Sequence, residues 1–232
     1  MIGVTENLRK IRALLTQAAL EAGREPQAVS LLAVSKKQPA ARVMEAAAAG
    51  QREFGENQAG EGVDKIRAVA DDTLIWHFIG HLQSNKSRAV AEHFDWVHSV
   101  DRLKIARRLS EQRPAELGDL NICLQVNVDE EASKAGIAAD EVAELARAVA
   151  SLPRLRLRGL MCLPRIREGL DAQRVPFARL RELAESLRGQ GIEMDTLSMG
   201  MSADFRAAIA EGATIVRIGT AVFGPRPGER EQ

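Results

Sequence analysis

Short apolar runs alternate with longer amphipathic stretches along the whole chain. Thr5 to Ala22 places Leu8, Ile11, Leu14, Leu15 and Ala18 on one face at helical spacing, and Gly23 supplies a stop. Leu31-Leu32-Ala33-Val34-Ser35 then reads as a buried strand. Pro39 disfavours helix at Gln38 and fits a turn into an alanine-rich helix that Gly50 closes. The same alternation predicts further strands at Arg52–Gly55, Leu74–Gly80, Trp96–Val100, Asn121–Val128, Leu157–Leu163, Thr196–Met199 and Thr214–Gly219. Helical stretches fall between them. Glu56 and Asn57 open one, with Asn57 as its cap, Ser84 caps the next, and Asp101 caps Arg102–Gln112. Asp140 and Glu141 begin a helix with Val142, Leu145, Ala146 and Val149 on one stripe. Val175–Gly189 is helical after Pro176, and Ser202 caps Ala203–Glu211.

A leading helix followed by eight strand units implies parallel pairing through crossover helices. At 232 residues this predicts an α/β fold, one (β/α)8 TIM-type barrel domain over residues 1–232 with an extra N-terminal helix. A doubly wound open sheet is the alternative, and it would leave two edge strands to protect.

Composition narrows the function classes. The chain is 45% hydrophobic, enough for a substantial core, and its 32 Lys and Arg balance 32 Asp and Glu, so nothing asks for nucleic acid or a membrane surface. Cys123 and Cys162 each lie in an apolar run and read as buried reduced thiols, which favours a reducing compartment. Met1 to Leu15 mixes acids and bases with its leucines, and no signal peptide or membrane-spanning run is visible. A cytoplasmic monomer is expected.

A parallel barrel gathers the loops after its strands at one mouth, where ligands bind. The candidates are therefore Lys36 and Lys37, Glu56 and Asn57, His81, Asn127, Met161, Ser198 to Ser202, and Arg217 to Thr220. A lysine at a buried strand end loses charge by desolvation, and a neutral amine attacks an aldehyde to form a Schiff base. A solvated charge pair is the plainer reading, and spacing does not choose between the two lysines. Ser198-Met199-Gly200-Met201-Ser202 and Ile218-Gly219-Thr220 both run from a strand into a helix start, where free N–H groups and the helix dipole suit a phosphate. Alone, Ser202 would be a cap and Gly219 a turn; together at the seventh and eighth strands they also fit a phosphate cradle. Arg217, inside a buried strand, must be paired in the barrel or point at a ligand. His77 and His81 lack the acids or cysteines that would complete a metal site, and no nucleophile-elbow motif is present.

Several motifs, in order and nearly end to end, are familiar. They are Leu32-Ala33-Val34-Ser35-Lys36, Phe54-Gly55-Glu56-Asn57, Trp76 to Lys86, His98-Ser99-Val100-Asp101-Arg102, Gly159-Leu160-Met161, Leu197 to Phe205, Glu211-Gly212-Ala213-Thr214 and Val216-Arg217-Ile218-Gly219-Thr220. On these the chain resembles the pyridoxal 5′-phosphate (PLP) homeostasis protein family, itself similar to the barrel domain of alanine racemase. The resemblance implies that Lys36 forms an internal aldimine with PLP, that Ser202, Gly219 and Thr220 lie near its phosphate, and that Arg217 faces the pyridine nitrogen. Asn57, His81, Met161, Ser198, Gly200 and Met201 fall at the same mouth and are expected to complete the cofactor site. The family commonly carries tyrosine where Gln58 stands.

Two functions share that aldimine. One is a carrier that holds PLP for apo PLP-dependent enzymes in vitamin B6 homeostasis, without turnover of its own. The other is a weak amino-acid racemase or related enzyme with Lys36 as base. The racemase mechanism in the look-alike family uses a lysine and a tyrosine, and this sequence contains no tyrosine. A cation beside the ring nitrogen also disfavours its protonation and weakens the electron sink. The carrier reading is favoured.

Overall fold

The computed structural model of the chain describes residues 3–129 and 135–225. Among them, eight parallel strands close on themselves in chain order: β1 (Ser30–Val34), β2 (Glu53–Glu56), β3 (Ile75–Phe78), β4 (Trp96–Val100), β5 (Leu120–Val126), β6 (Leu155–Cys162), β7 (Thr196–Ser198) and β8 (Ile215–Ile218). β8 returns to β1 with Leu32 opposite Arg217 and Ala33 opposite Ile218. Closure removes both sheet edges, and the open doubly wound alternative falls with them.

The helices form the outer layer: α1 (Val4–Glu21), α2 (Ala40–Ala48), α3 (Ala59–Val69), α4 (Ser87–His93), α5 (Leu103–Gln112), α6 (Val142–Ala150), α7 (Leu170–Gly189), α8 (Phe205–Ala210) and α9 (Thr220–Phe223). Their apolar stripes and the outward residues of the strands make the main core, in which Phe54, Phe78, Phe94, Phe177 and Phe223 are the largest enclosed side chains. α1 buries Leu8, Ile11, Leu15 and Ala18 as its periodicity predicts, but Leu14 lies outside the stripe and is exposed. Cys123 and Cys162 are buried free thiols, both pushed up to about 12 by burial.

Several element boundaries differ from the sequence expectation. Glu56 ends β2 instead of opening a helix, because its side chain is held in the layer between β2 and α3; α3 begins at Ala59, after Gln58, and Asn57 is not its cap. Ser84 does not cap α4 with its side chain: a short turn over Ser84–Lys86 intervenes, and the Ser84 carbonyl accepts from Ser87 Oγ at 2.8 Å. Asp101 pairs with Arg102 at 2.6 Å in place of capping α5. α7 starts at Leu170, a turn and more before Pro176. Proline gives up one backbone donor inside the helix, yet Pro176 and Phe177 are both buried there, and their packing holds the helix through it.

Candidate functional site

The strand end that carries Lys36 is held from behind. Ser35 and Glu56 are the adjacent ends of β1 and β2, and Ser35 Oγ donates to Glu56 Oε1 at 2.5 Å. Lys65, reaching down from α3, donates to that same carboxylate oxygen at 2.6 Å, to the Ser35 carbonyl at 2.7 Å and to Glu61 at 3.1 Å. Glu61 also accepts the backbone N–H of Lys37. Lys37 takes a left-handed conformation, φ 59°, which is uncommon for a residue with a Cβ. The chain therefore bends sharply just after Lys36. Lys37 is exposed and Lys36 is half-buried, so only one of the two lysines is drawn into the barrel end.

Ser35, Glu56 and Lys65 form a buried polar cluster that sequence reasoning missed in this role. Burial pushes the Glu56 carboxyl up, with Lys65 and Ser35 opposing the shift.

In β8, the strand beside β1, Arg217 is buried, with 4% of its surface exposed. Its Nη1 donates to Ser198 Oγ at 2.7 Å and its Nη2 to the Cys162 carbonyl at 2.8 Å. Among the described residues no carboxylate lies within ion-pair distance of it, so the barrel salt bridge that was one expectation for Arg217 is not formed. Burial lowers its pKa.

The loops after β7 and β8 meet beside it, and Arg217 N donates to the Gly200 carbonyl at 3.0 Å. Gly200 has φ +93°, and a Cβ there would sit 2.6 Å from the Ala208 Cβ; only glycine fits. Gly219 packs on the end of β1, where a Cβ would come within 3.2 Å of the Val34 carbonyl oxygen. This contact brings the β8 loop to the strand that leads, two residues on, to Lys36.

Ser198 points into the barrel under Arg217 instead of joining the loop, and Met161, opposite it in β6, is buried. Met201, Ser202 and Thr220 are exposed at the mouth. Ser202 is not the cap of α8. That helix starts at Phe205, after Asp204, and Asp204 Oδ1 accepts from Met201 N at 2.6 Å, closing the turn in which Ser202 sits. Thr220 opens the four-residue α9, the helix start expected after Ile218-Gly219.

Asn57 and His81 share a small cleft of about 260 Å³ with Phe78, Leu82 and Lys86. Neither Lys36 nor Arg217 lines it. His77 and His81 do not act together: β3 ends at Phe78, His81 is exposed, and His77 turns inward to His98 at 2.9 Å. That pairing was missed, although alternation within Trp96-Val97-His98 puts Trp96 and His98 on one face of β4. Among the described residues no group of three or more His, Cys, Asp or Glu is placed to hold a metal.

The closed parallel barrel is the fold of alanine racemase: the enzyme from Corynebacterium glutamicum superposes with a TM-score of 0.71 at 18% identity, covering 98% of this chain and 62% of the other. The match is borne out in the sequence: the family model for the alanine racemase N-terminal domain covers residues 5–227, and the chain belongs to this family. Within it, the chain is 59% identical to the pyridoxal phosphate homeostasis protein of Pseudomonas aeruginosa, over 97% of each chain. It is 53% identical to the protein of the same name from Escherichia coli K12, over 97% of this chain and 98% of the other. Among solved structures, PipY of Synechococcus elongatus PCC7942 with PLP bound superposes with a TM-score of 0.83 at 38% identity, covering 95% of this chain and all of PipY (100%). Among the described residues, no helix is long and apolar enough to cross a membrane.

Proposed function

We propose that this protein holds PLP through Lys36 and serves vitamin B6 homeostasis as a carrier, without catalytic turnover of its own. The observation that carries the reading is Arg217, a buried cation hydrogen-bonded to a hydroxyl and a carbonyl, with no carboxylate among the described residues within ion-pair distance and Asp204 acting on it only from farther off, set in the strand next to the one that leads to Lys36. The names of the relatives and the PLP-bound PipY support it.

The residues present fit the cofactor. Lys36 supplies the amine; Lys37 is turned to solvent and does not compete. The Gly200 and Gly219 turns, with Met201, Ser202 and Thr220 at the surface, offer backbone N–H groups and hydroxyls to the phosphate. Arg217 would face the pyridine ring nitrogen, with Ser198 behind it and Met161 alongside. Asn57 and His81 line a neighbouring cleft and are the more distant candidates. When bound, the cofactor supplies an aldehyde that condenses with the lysine amine, losing water.

A cation at Arg217 would disfavour protonation of the ring nitrogen and so weaken the electron sink that the cofactor would supply. The 232 residues contain no tyrosine, which removes the lysine/tyrosine pair of a two-base racemase from this chain. We place the protein in the cytoplasm as a single-domain monomer that passes PLP to apo-enzymes.

The test is an absorbance spectrum before and after borohydride, with peptide mass spectrometry. A visible band abolished by borohydride and a pyridoxyl group on Lys36 are expected; Lys36→Ala should lose the adduct while staying folded, and Lys37→Ala should keep it. An undiminished adduct in Lys36→Ala would move the site. Turnover of an amino acid by the purified protein would restore the enzyme reading.

A further inference from the structure

A line of polar side chains crosses the barrel interior behind Arg217. Ser198 Oγ lies 2.7 Å from Arg217 Nη1 and 2.7 Å from His98 Nδ1. His98 Nε2 lies 2.9 Å from His77 Nδ1, and His77 Nε2 lies 3.5 Å from Glu53 Oε2. Trp96 braces both rings: it stacks on His77 at 5.3 Å and 9° and meets His98 edge-on at 5.7 Å and 60°. Glu53, at the start of β2, lines a cavity of about 510 Å³ at the opposite mouth, with Arg24, Trp96, Arg158 and Asp195.

The direction of this line follows from what each group is able to give. A guanidinium only donates, so Ser198 Oγ accepts from Arg217. Burial lowers the pKa of His77 to about 3 and that of His98 well below its ordinary value, so each ring is neutral and carries one N–H. Suppose Ser198 donates its hydrogen to His98 Nδ1. His98 Nε2–H then donates to His77 Nδ1, and His77 Nε2–H faces the Glu53 carboxylate. In the reverse order His98 Nδ1–H would donate to Ser198, and the serine hydrogen would find no acceptor among the described residues. His77 Nε2 would then also need a proton from Glu53. The first order gives every hydrogen an acceptor except His77 Nε2–H, a buried group without a hydrogen-bond partner that lies 3.5 Å from Glu53 Oε2, and an ionised Glu53 favours a proton there.

We propose that Glu53 is a positioning residue for Arg217: from the far mouth, its carboxylate favours the proton on His77 Nε2, which leaves His77 Nδ1 and His98 Nδ1 as acceptors, so that Ser198 donates to His98 while it accepts from the guanidinium. The link to cofactor holding rests on the reading of Arg217 given above. The contacts themselves do not, because the hydrogen bonds from Arg217 to His77 and the charge contact from His77 to Glu53 are made by the protein's own residues. A line spanning β2, β3, β4, β7 and β8 ties the two mouths of the barrel together through hydrogen bonds instead of packing alone.

The first test is a side-chain ¹H–¹⁵N correlation spectrum of the ligand-free protein, in which two of the four histidines, His77 and His98, should both be protonated on Nε2 and bare on Nδ1. An Nδ1–H or doubly protonated form of either ring would overturn the proposal. The second compares Glu53→Ala with Glu53→Gln, whose amide oxygen still accepts. Glu53→Ala should give His77 mixed tautomers and release bound PLP about two- to tenfold faster, the range for weakening one hydrogen bond, that from Arg217 to Ser198, and Glu53→Gln should restore both. Unchanged tautomers and release in Glu53→Ala would overturn the positioning role. Failure of the wild type to bind PLP at all would instead overturn the cofactor reading, with the tautomers still reporting on the chain.

Discussion

Lys65 and Glu56 form an ion pair of 2.6 Å inside the layer between α3 and the barrel, with the lysine side chain 5% exposed and the glutamate 0%. Removing one partner of such a pair strands the other charge, at a cost of about 3–5 kcal/mol. Lys65→Met should therefore lower stability by about that amount in urea unfolding at neutral pH. The loss should depend on pH in a definite sense. Burial already raises the Glu56 pKa, and removing Lys65 removes the largest influence that lowers it. An acid raised in the folded state binds its proton there more readily than in the unfolded chain, so stability falls as pH rises through the folded value. The deficit of Lys65→Met should be larger at pH 8 than at pH 5; a deficit independent of pH would mean that Glu56 is not left uncompensated.

The buried imidazoles give the opposite slope. His77 has a folded pKa of about 3 against an ordinary 6.5, so below pH 6.5 the unfolded chain binds a proton that the folded chain refuses. Acidifying from pH 7 to pH 5 should cost about 2 kcal/mol for each such histidine. The raised carboxyls of Glu53, Glu56, Asp95 and Asp204 act the other way, so the informative quantity is a difference. A His77→Gln variant should lose stability at pH 7 but show a shallower decline toward pH 5 than the wild type. Parallel declines would show that His77 is not held neutral by the fold.

The barrel was legible in the sequence because parallel strands buried on both faces read as compact apolar runs, and each is followed by a helix with its own stripe. The individual strand ends were less so. Glu56 looks like a helix opener by residue type, and only its contacts with Ser35 and Lys65 make it the end of β2. The same division holds for the site. Lys36, Gly200, Arg217 and Gly219 stand in contiguous motifs, and it is the resemblance of those motifs to a family that implied a role for each. The chain behind Arg217 is assembled from five strands, with Ser198 and His98 a hundred residues apart (|i−j| = 100), and no local pattern states which inward side chains of a closed barrel will touch. Ser202 was misread as a cap because Asp204, two residues on, competes for the same turn and wins by accepting the Met201 N–H.

The two glycine turns make a separate, quantitative claim about the phosphate. If they cradle it, the phosphate is held by hydrogen bonds to a charged group, each contributing about 1.5–3 kcal/mol, or about ten- to a hundredfold in affinity. Pyridoxal without its phosphate should then bind at least about tenfold more weakly than PLP, and inorganic phosphate should compete with PLP. Gly200→Ala sharpens the test. Its new Cβ would fall 2.6 Å from Ala208 in a backbone with φ +93°, so the turn must move. The variant should keep its Lys36 adduct, since the β1 end is untouched, but bind PLP and pyridoxal with more nearly equal affinity. Titrating both ligands into wild type and variant by absorbance decides it: a wild type that does not distinguish them, or a variant that distinguishes them as sharply as the wild type does, would place the phosphate elsewhere.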